Sequence, residues 1–505
     1  MSFIPHSETD RREMLARIGV SDVRDLYEDV PAELILDGDL EVPEALSEWE
    51  AVRLLTELAE ENRSLVCFAG AGQYDHHVPA AADHIVRRSE FYTAYTPYQP
   101  EVSQGTLQSI YEFQTMICEL TGMDVANASM YDGPSAAAEA AVMSRAVTRR
   151  DRVLSATTVH PHSRKVTDTY LRGLGSGLER VAPGSDGLVD LDALGAALGD
   201  DVACFIVQYP NFFGCIEDLE PIAEAVHAAG ALLVVVTDPV SQALLRTPGE
   251  LGADIVVAEG QPFGNAPSFG GPVVGLFAAR PKLVRQMPGR IVGATVDMEG
   301  RRGYVLTLQT REQQIRREKA TSNICTNQGL NALASAVHLS LLGQEGLREV
   351  AESSVQNAHY AWRRLQDVDG VTPLFPDTPF AREFAVATEE NSRSILERGF
   401  AAGILAGVSL SRFESLEAPD GLLLAFTEKR NREEIDRVVD LLAGGGEPMG
   451  KQIFHGQSCT EIVTGDGTRL LIDPFLTDNP LADVGRDHFH DRLDYLLLTH
   501  GHYDH

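Results

Sequence analysis

From residue 132 to about residue 280, short apolar runs alternate with helix-like segments, and this alternation constrains the fold more than any other feature. The runs are RVLSA (152–156), ACFIVQ (203–208), ALLVVV (231–236), DIVVA (254–258) and GPVVGLF (271–277). They are apolar at nearly every position rather than at every second one. A strand with one wet face shows period two, whereas a strand covered on both faces reads as a continuous apolar run. An Ala-rich helix (AAAEAAVMSRAV) follows Asp132-Gly133-Pro134-Ser135, and Glu217–Ala229 reads as a second helix between two of the runs. The pattern predicts an α/β fold: a mainly parallel sheet with helices on both faces.

The flanks read differently. Residues 1–62 form a helical arm, with Ser47 capping EWEAVRLLTELAEEN and Val52, Leu55 and Leu58 on one face. A large domain spans 63–320; its first part, 63–105, is loop-rich, and 106–123 has helical periodicity. A small C-terminal domain spans 321–442. Residues 320–365 read as mostly helical, strands fall near Phe384–Ala387 and Gly421–Phe426, and a last helix covers Arg432–Leu442. Residues 443–448 (AGGGEP) are a linker by composition. In 449–505, Thr460–Val463 and Arg469–Ile472 flank Gly465-Asp466-Gly467, a hairpin signal.

Charge and composition exclude several functions. The net charge of −32 opposes nucleic-acid binding, which needs clustered Lys and Arg. No apolar stretch approaches the ~20 residues of a membrane span. The N-terminus has no apolar run after a basic start, so no secretion signal is expected. Six cysteines without CxxC spacing suit a reducing, cytoplasmic setting. Only five lysines occur, at 165, 282, 319, 429 and 451. Acidity with scarce lysine fits a salt-rich cytoplasm, and a GC-rich genome gives the same scarcity.

Three local patterns can carry chemistry. The turn Asp132–Ser135 opens a helix whose free N–H groups can hold a phosphate, although Ser135 or Asp132 serving only as a cap is the simpler reading. Residues 93–105 (TAYTPYQPEVSQG) are too polar and too rich in Pro for a strand and suit a binding loop as well as a packed surface loop. His76-His77 and His160-Pro161-His162 lack the convergent acidic or thiolate spacing of a metal site.

Residues 93–105 and 316–328 (RREKATSNICTNQ) together resemble the glycine cleavage system P-protein, the pyridoxal-phosphate-dependent glycine decarboxylase. They resemble in particular the subunit type forming the N-terminal half of a two-chain P-protein. The likeness runs to about residue 445 through FAGAGQYDHHVPAAADHI (68–85), FQTMICELTGMDVANASMYDG (113–133), GADIVVAEGQPFG (252–264), GGPVVGLF (270–277), GRIVG (289–293) and LTLQTREQ (306–313). It implies a type I pyridoxal-phosphate transferase fold. It also implies a holoenzyme that decarboxylates glycine and passes the aminomethyl group to the lipoyl arm of the H-protein.

One departure from the catalytic half matters most. A pyridoxal enzyme needs a lysine amine, and where the resemblance places it this chain has Gln261. The resemblance therefore implies a subunit that works with a homologous, lysine-bearing subunit 2, which binds the pyridoxal phosphate. This chain then lends residues across the interface, with Tyr95, Thr96, Tyr98, Gln99 and Ser103 as candidates. Ser135, His160 (ring stacking), Asp238 (pyridine nitrogen) and Gln261 are candidate remnants of a cofactor site.

The C-terminus reads His500-Gly501-His502-Tyr503-Asp504-His505 after an apolar run, Tyr495–Leu498. Two histidines on alternate positions, then Asp and His, can aim ligands at a metal. With IFHGQSCTEIV, LLIDPFLTDNPLA, His455 and Asp473, the segment resembles the start of a metallo-β-lactamase-fold hydrolase. That fold needs further ligands and a second half, so an incomplete site without a working divalent metal is expected. The segment reads as part of a longer fusion, as two joined genes (Met449-Gly450-Lys451 resembles a start) or as a short tail. Two other function classes stay open: a metal-dependent hydrolase fusion, and a non-catalytic assembly or regulatory protein.

Overall fold

A computed structural model describes residues 5–36, 38, 40–413 and 418–444. Of the C-terminal stretch it describes 451–454, 459–463, 468–473, 489 and 493–497. The chain divides into two units, Met1–Arg63 and Ser64–His505.

In the first unit, α1 (Glu8–Ile18) and α2 (Glu48–Glu60) each open with a capping box, Ser7 with Asp10 and Ser47 with Glu50. Each box satisfies two helix-end donors reciprocally. Neither helix has a buried residue, and Val52, Leu55 and Leu58 are exposed.

The second unit is built on a seven-stranded sheet. Its strands are β1 (Val125–Ala126), β2 (Arg152–Ala156), β3 (Leu178–Val181), β4 (Val202–Tyr209), β5 (Leu232–Thr237), β6 (Ile255–Glu259) and β7 (Gly275–Ala279). The order is β1-β7-β6-β5-β4-β2-β3; β2 to β6 are mutually parallel, and β7 runs antiparallel to both its neighbours, β6 and β1. β5 is buried at every position and β4 at every position but Gln208, the burial that the continuous apolar runs predicted. Helices α3 (Gln104–Thr121), α4 (Gly133–Thr148), α5 (Pro161–Gly173) and α6 (Leu219–Ala228) surround it.

One boundary needs correction: the helix expected from Glu217 starts at Leu219, after Asp218. Residues 320–365 are mostly helical as expected, with α7 spanning Gly329–Leu365, but 320–328 lie outside the helix. The reason is tertiary. Cys325 N–H donates to the Tyr131 hydroxyl (3.0 Å), Gln328 N–H to Ser129 Oγ (3.0 Å) and Asn327 Nδ2 to the Ala128 carbonyl (3.3 Å). These bonds tie the segment to the chain between β1 and α4 and replace the helical ladder. The loop-rich stretch 63–105 also holds two short helices, Ala80–Val86 and Ser89–Tyr92.

The smaller sheet has antiparallel neighbours in the order Val371–Pro373, Glu383–Thr388, Gly421–Ala425, Val408–Ser409. Phe384, Leu422 and Leu424 share a core with Trp362 of α7 and Val438 of α8 (Arg432–Leu442). A separate sheet forms from Lys451–Phe454, Thr460–Val463 and Arg469–Ile472, all antiparallel, with Tyr495–Leu497 added in parallel to Arg469–Ile472. Residues 445–448 of the linker, the Gly465–Gly467 turn, His455 and the ligand motif His500, His502, Asp504 and His505 lie outside the described residues.

Candidate functional site

Parallel strands send all their C-terminal ends to one edge, and ligands of open α/β sheets bind outside that edge. Here the edge carries Gln208 at the end of β4, Thr237 and Asp238 after β5, and Glu259 to Gln261 after β6. A cavity of about 400 Å³ opens there; Asp238, Glu259, His160, Tyr74, Pro134 and Phe413 are among its walls.

The polar groups around Asp238 are committed to one another. Arg382 grips Asp238 with two hydrogen bonds, Nε to Oδ2 (2.8 Å) and Nη2 to Oδ1 (2.6 Å), and Ser241 adds a third (2.5 Å). Burial alone raises the Asp238 carboxyl, but the Arg382 guanidinium outweighs it and holds the carboxyl below its usual range. The same guanidinium lies 3.7 Å from the centre of the Tyr74 ring. It also donates to His76 Nε2, while His76 Nδ1 faces Glu428 at 2.6 Å. Burial and the adjacent Arg382 depress the His76 pKa, so the neutral ring accepts on one nitrogen and donates on the other. Beneath, Glu383 accepts from the Ala71 N–H (2.7 Å) and the Tyr74 hydroxyl (2.8 Å), and burial pushes its carboxyl up to about 7.

Gln261 is 1% exposed. Its Oε1 accepts from Tyr74 N–H (2.9 Å), and its Nε2 donates to the carbonyls of Tyr74 (3.1 Å) and Asn265 (2.7 Å). His160 lies with Nε2 2.7 Å from the Ala71 carbonyl and Nδ1 accepting from His162 N–H at 3.0 Å. Gly72 lies against the ring: a Cβ there would come within 3.1 Å of it. Burial lowers the His160 pKa to about 4. Ser135 belongs to a capping box: its N–H donates to Asp132 Oδ1 (2.7 Å) and its hydroxyl to the Asp132 carbonyl (3.1 Å). The four candidate remnants therefore gather at one strand edge, with Ser135 engaged by its own helix cap.

A second pocket, of about 360 Å³, joins the two signature stretches. Tyr95, Thr96 and Pro97 form one side; Thr326, Asn327 and Gln328 form another. Tyr98 is pinned below, its hydroxyl 3.0 Å from Arg290 Nη2, which also donates to the Cys325 carbonyl at 2.6 Å. Tyr95 is 81% exposed, Gln99 is exposed, and Ser103 precedes α3 without a side-chain cap bond. Among the described residues no group of His, Cys, Asp and Glu is arranged to hold a metal, and His76 is spent on Glu428 and Arg382.

The model of the glycine cleavage system P-protein family matches residues 1–442. The chain belongs to that family. Relatives of this P-protein called probable glycine dehydrogenase (decarboxylating) subunit 1 include one from Carboxydothermus hydrogenoformans, 52% identical over 447 residues, covering 88% of this chain and all of the relative. Another, from Desulforamulus reducens, is 53% identical over 439 residues, covering 86% of this chain and 98% of the relative. A crystal structure of glycine decarboxylase (P-protein) in inhibitor-bound form superposes with a TM-score of 0.79 at 44% identity, covering 88% of this chain and 100% of that one. A sphingosine-1-phosphate lyase from Burkholderia pseudomallei, at 15% identity and TM-score 0.60 over 81% of this chain and 92% of that one, shares the fold. The α/β fold is thus that of pyridoxal-phosphate-type enzymes, and the name subunit 1 implies a second subunit.

A pyridoxal phosphate asks a pocket for an amine, a free acid for its ring nitrogen and free donors for its phosphate. The cavity of this P-protein offers neither the amine nor a free acid: no lysine lines it among the described residues, and Asp238 is taken by Arg382. Arg412 lines it as a cation, but the N–H of Gly133 at the start of α4 is taken by the Glu259 carboxyl. The group does not fit. Reading the sequence missed Glu259, Arg382, Glu383 and Arg290. Only Glu259 and Arg290 stood inside family stretches, where a charged residue in an otherwise apolar or Gly-rich run was the available signal.

Proposed function

We propose that this chain is the cofactor-free subunit of a two-chain glycine decarboxylase. The holoenzyme decarboxylates glycine and hands the aminomethyl group to the lipoyl arm of the H-protein, in the cytoplasm. A homologous subunit 2 supplies the lysine and holds the pyridoxal phosphate. One observation supports the reading: Gln261, at or near where the resemblance places the lysine, is buried with its amide bonded at both ends, in a P-protein that covers the full length of a subunit 1 relative.

The chain's contribution is positional. The pocket formed by Tyr95 and Thr96 with Thr326–Gln328 presents hydroxyls and amides on a rigid base, since Arg290 ties Tyr98 to Cys325. Such a surface suits completion of a site on a partner, with Gln99 and Ser103 flanking it. The test is release of carbon dioxide from carboxyl-labelled glycine, with lipoylated H-protein as acceptor. Release is expected from the mixture of both subunits and from neither alone. Equal release by subunit 2 alone overturns the reading and leaves an assembly role.

Residues 449–505 we read as the start of a metallo-β-lactamase-like sheet. The parallel pairing of Arg469–Ile472 with Tyr495–Leu497 supports this, because Asp473 N–H bonds to the Leu497 carbonyl (2.9 Å) where the chain runs on toward the His500 motif. Purified chain without bound zinc or iron is the expected outcome, and stoichiometric metal with hydrolytic activity contradicts it.

A further inference from the structure

We infer that the Glu259 carboxyl is a built-in acceptor at the start of α4, and that it closes this helix end to the phosphate of a cofactor independently of the missing lysine. The inference deepens the proposal above and rests on its reading that the cofactor is held elsewhere.

The N-terminus of a helix carries free N–H groups and the positive end of the dipole, which together attract anions. On α4 those groups are answered from within. Gly133 N–H donates to Glu259 Oε2 at 3.0 Å, and Ser135 N–H donates to Asp132 Oδ1 at 2.7 Å. The other Glu259 oxygen accepts from Gln261 N–H (3.0 Å) and Val274 N–H (3.3 Å). A single carboxylate therefore ties α4, the end of β6 and the approach to β7 through three backbone donors, the way a bound oxyanion would.

Space and charge agree with this. A Cβ placed on Gly133 would lie 3.0 Å from the Glu259 Cβ and backbone nitrogen. The start of α4 is thus packed directly on the end of β6, with no gap for a phosphate between them. A phosphate entering here would meet the acceptor oxygens of Glu259 and the Asp132 carboxylate in place of free donors, and such contacts in a poorly solvated site oppose binding. Gln261 and Arg382 complete the closure. An amine at 261 would strip Tyr74 N–H of its acceptor, and Asp238 is already held by Arg382 through both oxygens.

Four proteins test the inference: the native chain, Gln261→Lys, Glu259→Ala and the double variant Glu259→Ala/Gln261→Lys. Melting temperature is read against inorganic phosphate, and borohydride with pyridoxal phosphate followed by mass mapping reads covalent capture. The native chain is expected to gain no stability from phosphate, and Gln261→Lys is expected to take no label at position 261. Glu259→Ala is expected to gain a melting temperature that rises with phosphate concentration, and Glu259→Ala/Gln261→Lys to be labelled at 261. Labelling of Gln261→Lys alone, stabilisation of the native chain by phosphate, or a folded Glu259→Ala indifferent to phosphate overturns it. The first two proteins decide the matter even where Glu259→Ala fails to fold. Whether subunit 2 is labelled is a separate readout: its failure sinks the two-chain reading and leaves this inference standing.

Discussion

Arg382 and Asp238 face each other through two parallel hydrogen bonds of 2.8 and 2.6 Å, joining the small sheet to the end of β5 across 144 residues of chain. Both side chains are nearly buried, 3% and 13% exposed. Removing one partner of such a pair strands the other charge. Arg382→Ala and Asp238→Asn are each expected to lose about 3–5 kcal/mol in denaturant unfolding. In a double-mutant cycle the combined loss is expected to fall well below the sum. Additive losses contradict the coupling.

Glu383 makes stability depend on pH. Its folded carboxyl lies at about 7, above the ordinary 4.5, because it is buried. The folded state therefore binds the proton more tightly than the unfolded chain. The sign follows: this contribution is fully present below about 4.5 and is lost as pH rises through about 7. Glu383→Gln is expected to flatten the fall of melting temperature across that window relative to the native chain. An unchanged slope contradicts it. Glu139, Glu217 and Glu259 are raised to about 7 as well, so a reduced slope rather than a flat profile is expected.

Tyr95 and Tyr98 separate interface from stability. Tyr95 is 81% exposed, so Tyr95→Ala is expected to change the stability of the isolated chain by less than about 0.5 kcal/mol. It is expected to lower the rate of the reconstituted pair. Tyr98→Phe loses the hydroxyl facing Arg290 and is expected to cost about 1 kcal/mol of stability. A Tyr95 variant with full activity removes it from the proposed interface.

The family match ends at residue 442, and the relatives align over their own full length without the last stretch. A chain ending at residue 448 is expected to support the same glycine decarboxylation with subunit 2 as the full chain. Loss of activity on truncation gives the C-terminal sheet a part in the complex.

The sheet was legible because strands covered on both faces leave a run of apolar residues: 203–208 and 231–236 fall within a residue or two of Val202–Tyr209 and Leu232–Thr237. Residues 320–328 were not legible, since their backbone bonds go to Ser129 and Tyr131, nearly two hundred residues earlier. The same distance hid the site. Gln261 stood out as a missing amine, but its partner Tyr74 is 187 residues away, and Arg382 lay in a stretch with no recognised motif. The two signature stretches 93–105 and 316–328 were read together as marks of one family, but only folding shows that they share one pocket.

In the proposed division of labour the cofactor belongs to the partner, and this chain, with Gln261 buried and amide-bonded, holds none. Borohydride reduction after mixing with pyridoxal phosphate, on this chain alone and with subunit 2, followed by mass mapping of the labelled lysine, tests it most directly. A stoichiometric label is expected on subunit 2 and none on Lys165, Lys282, Lys319, Lys429 or Lys451. A stoichiometric label on a defined lysine of this chain alone would contradict it and make the chain a catalyst in its own right.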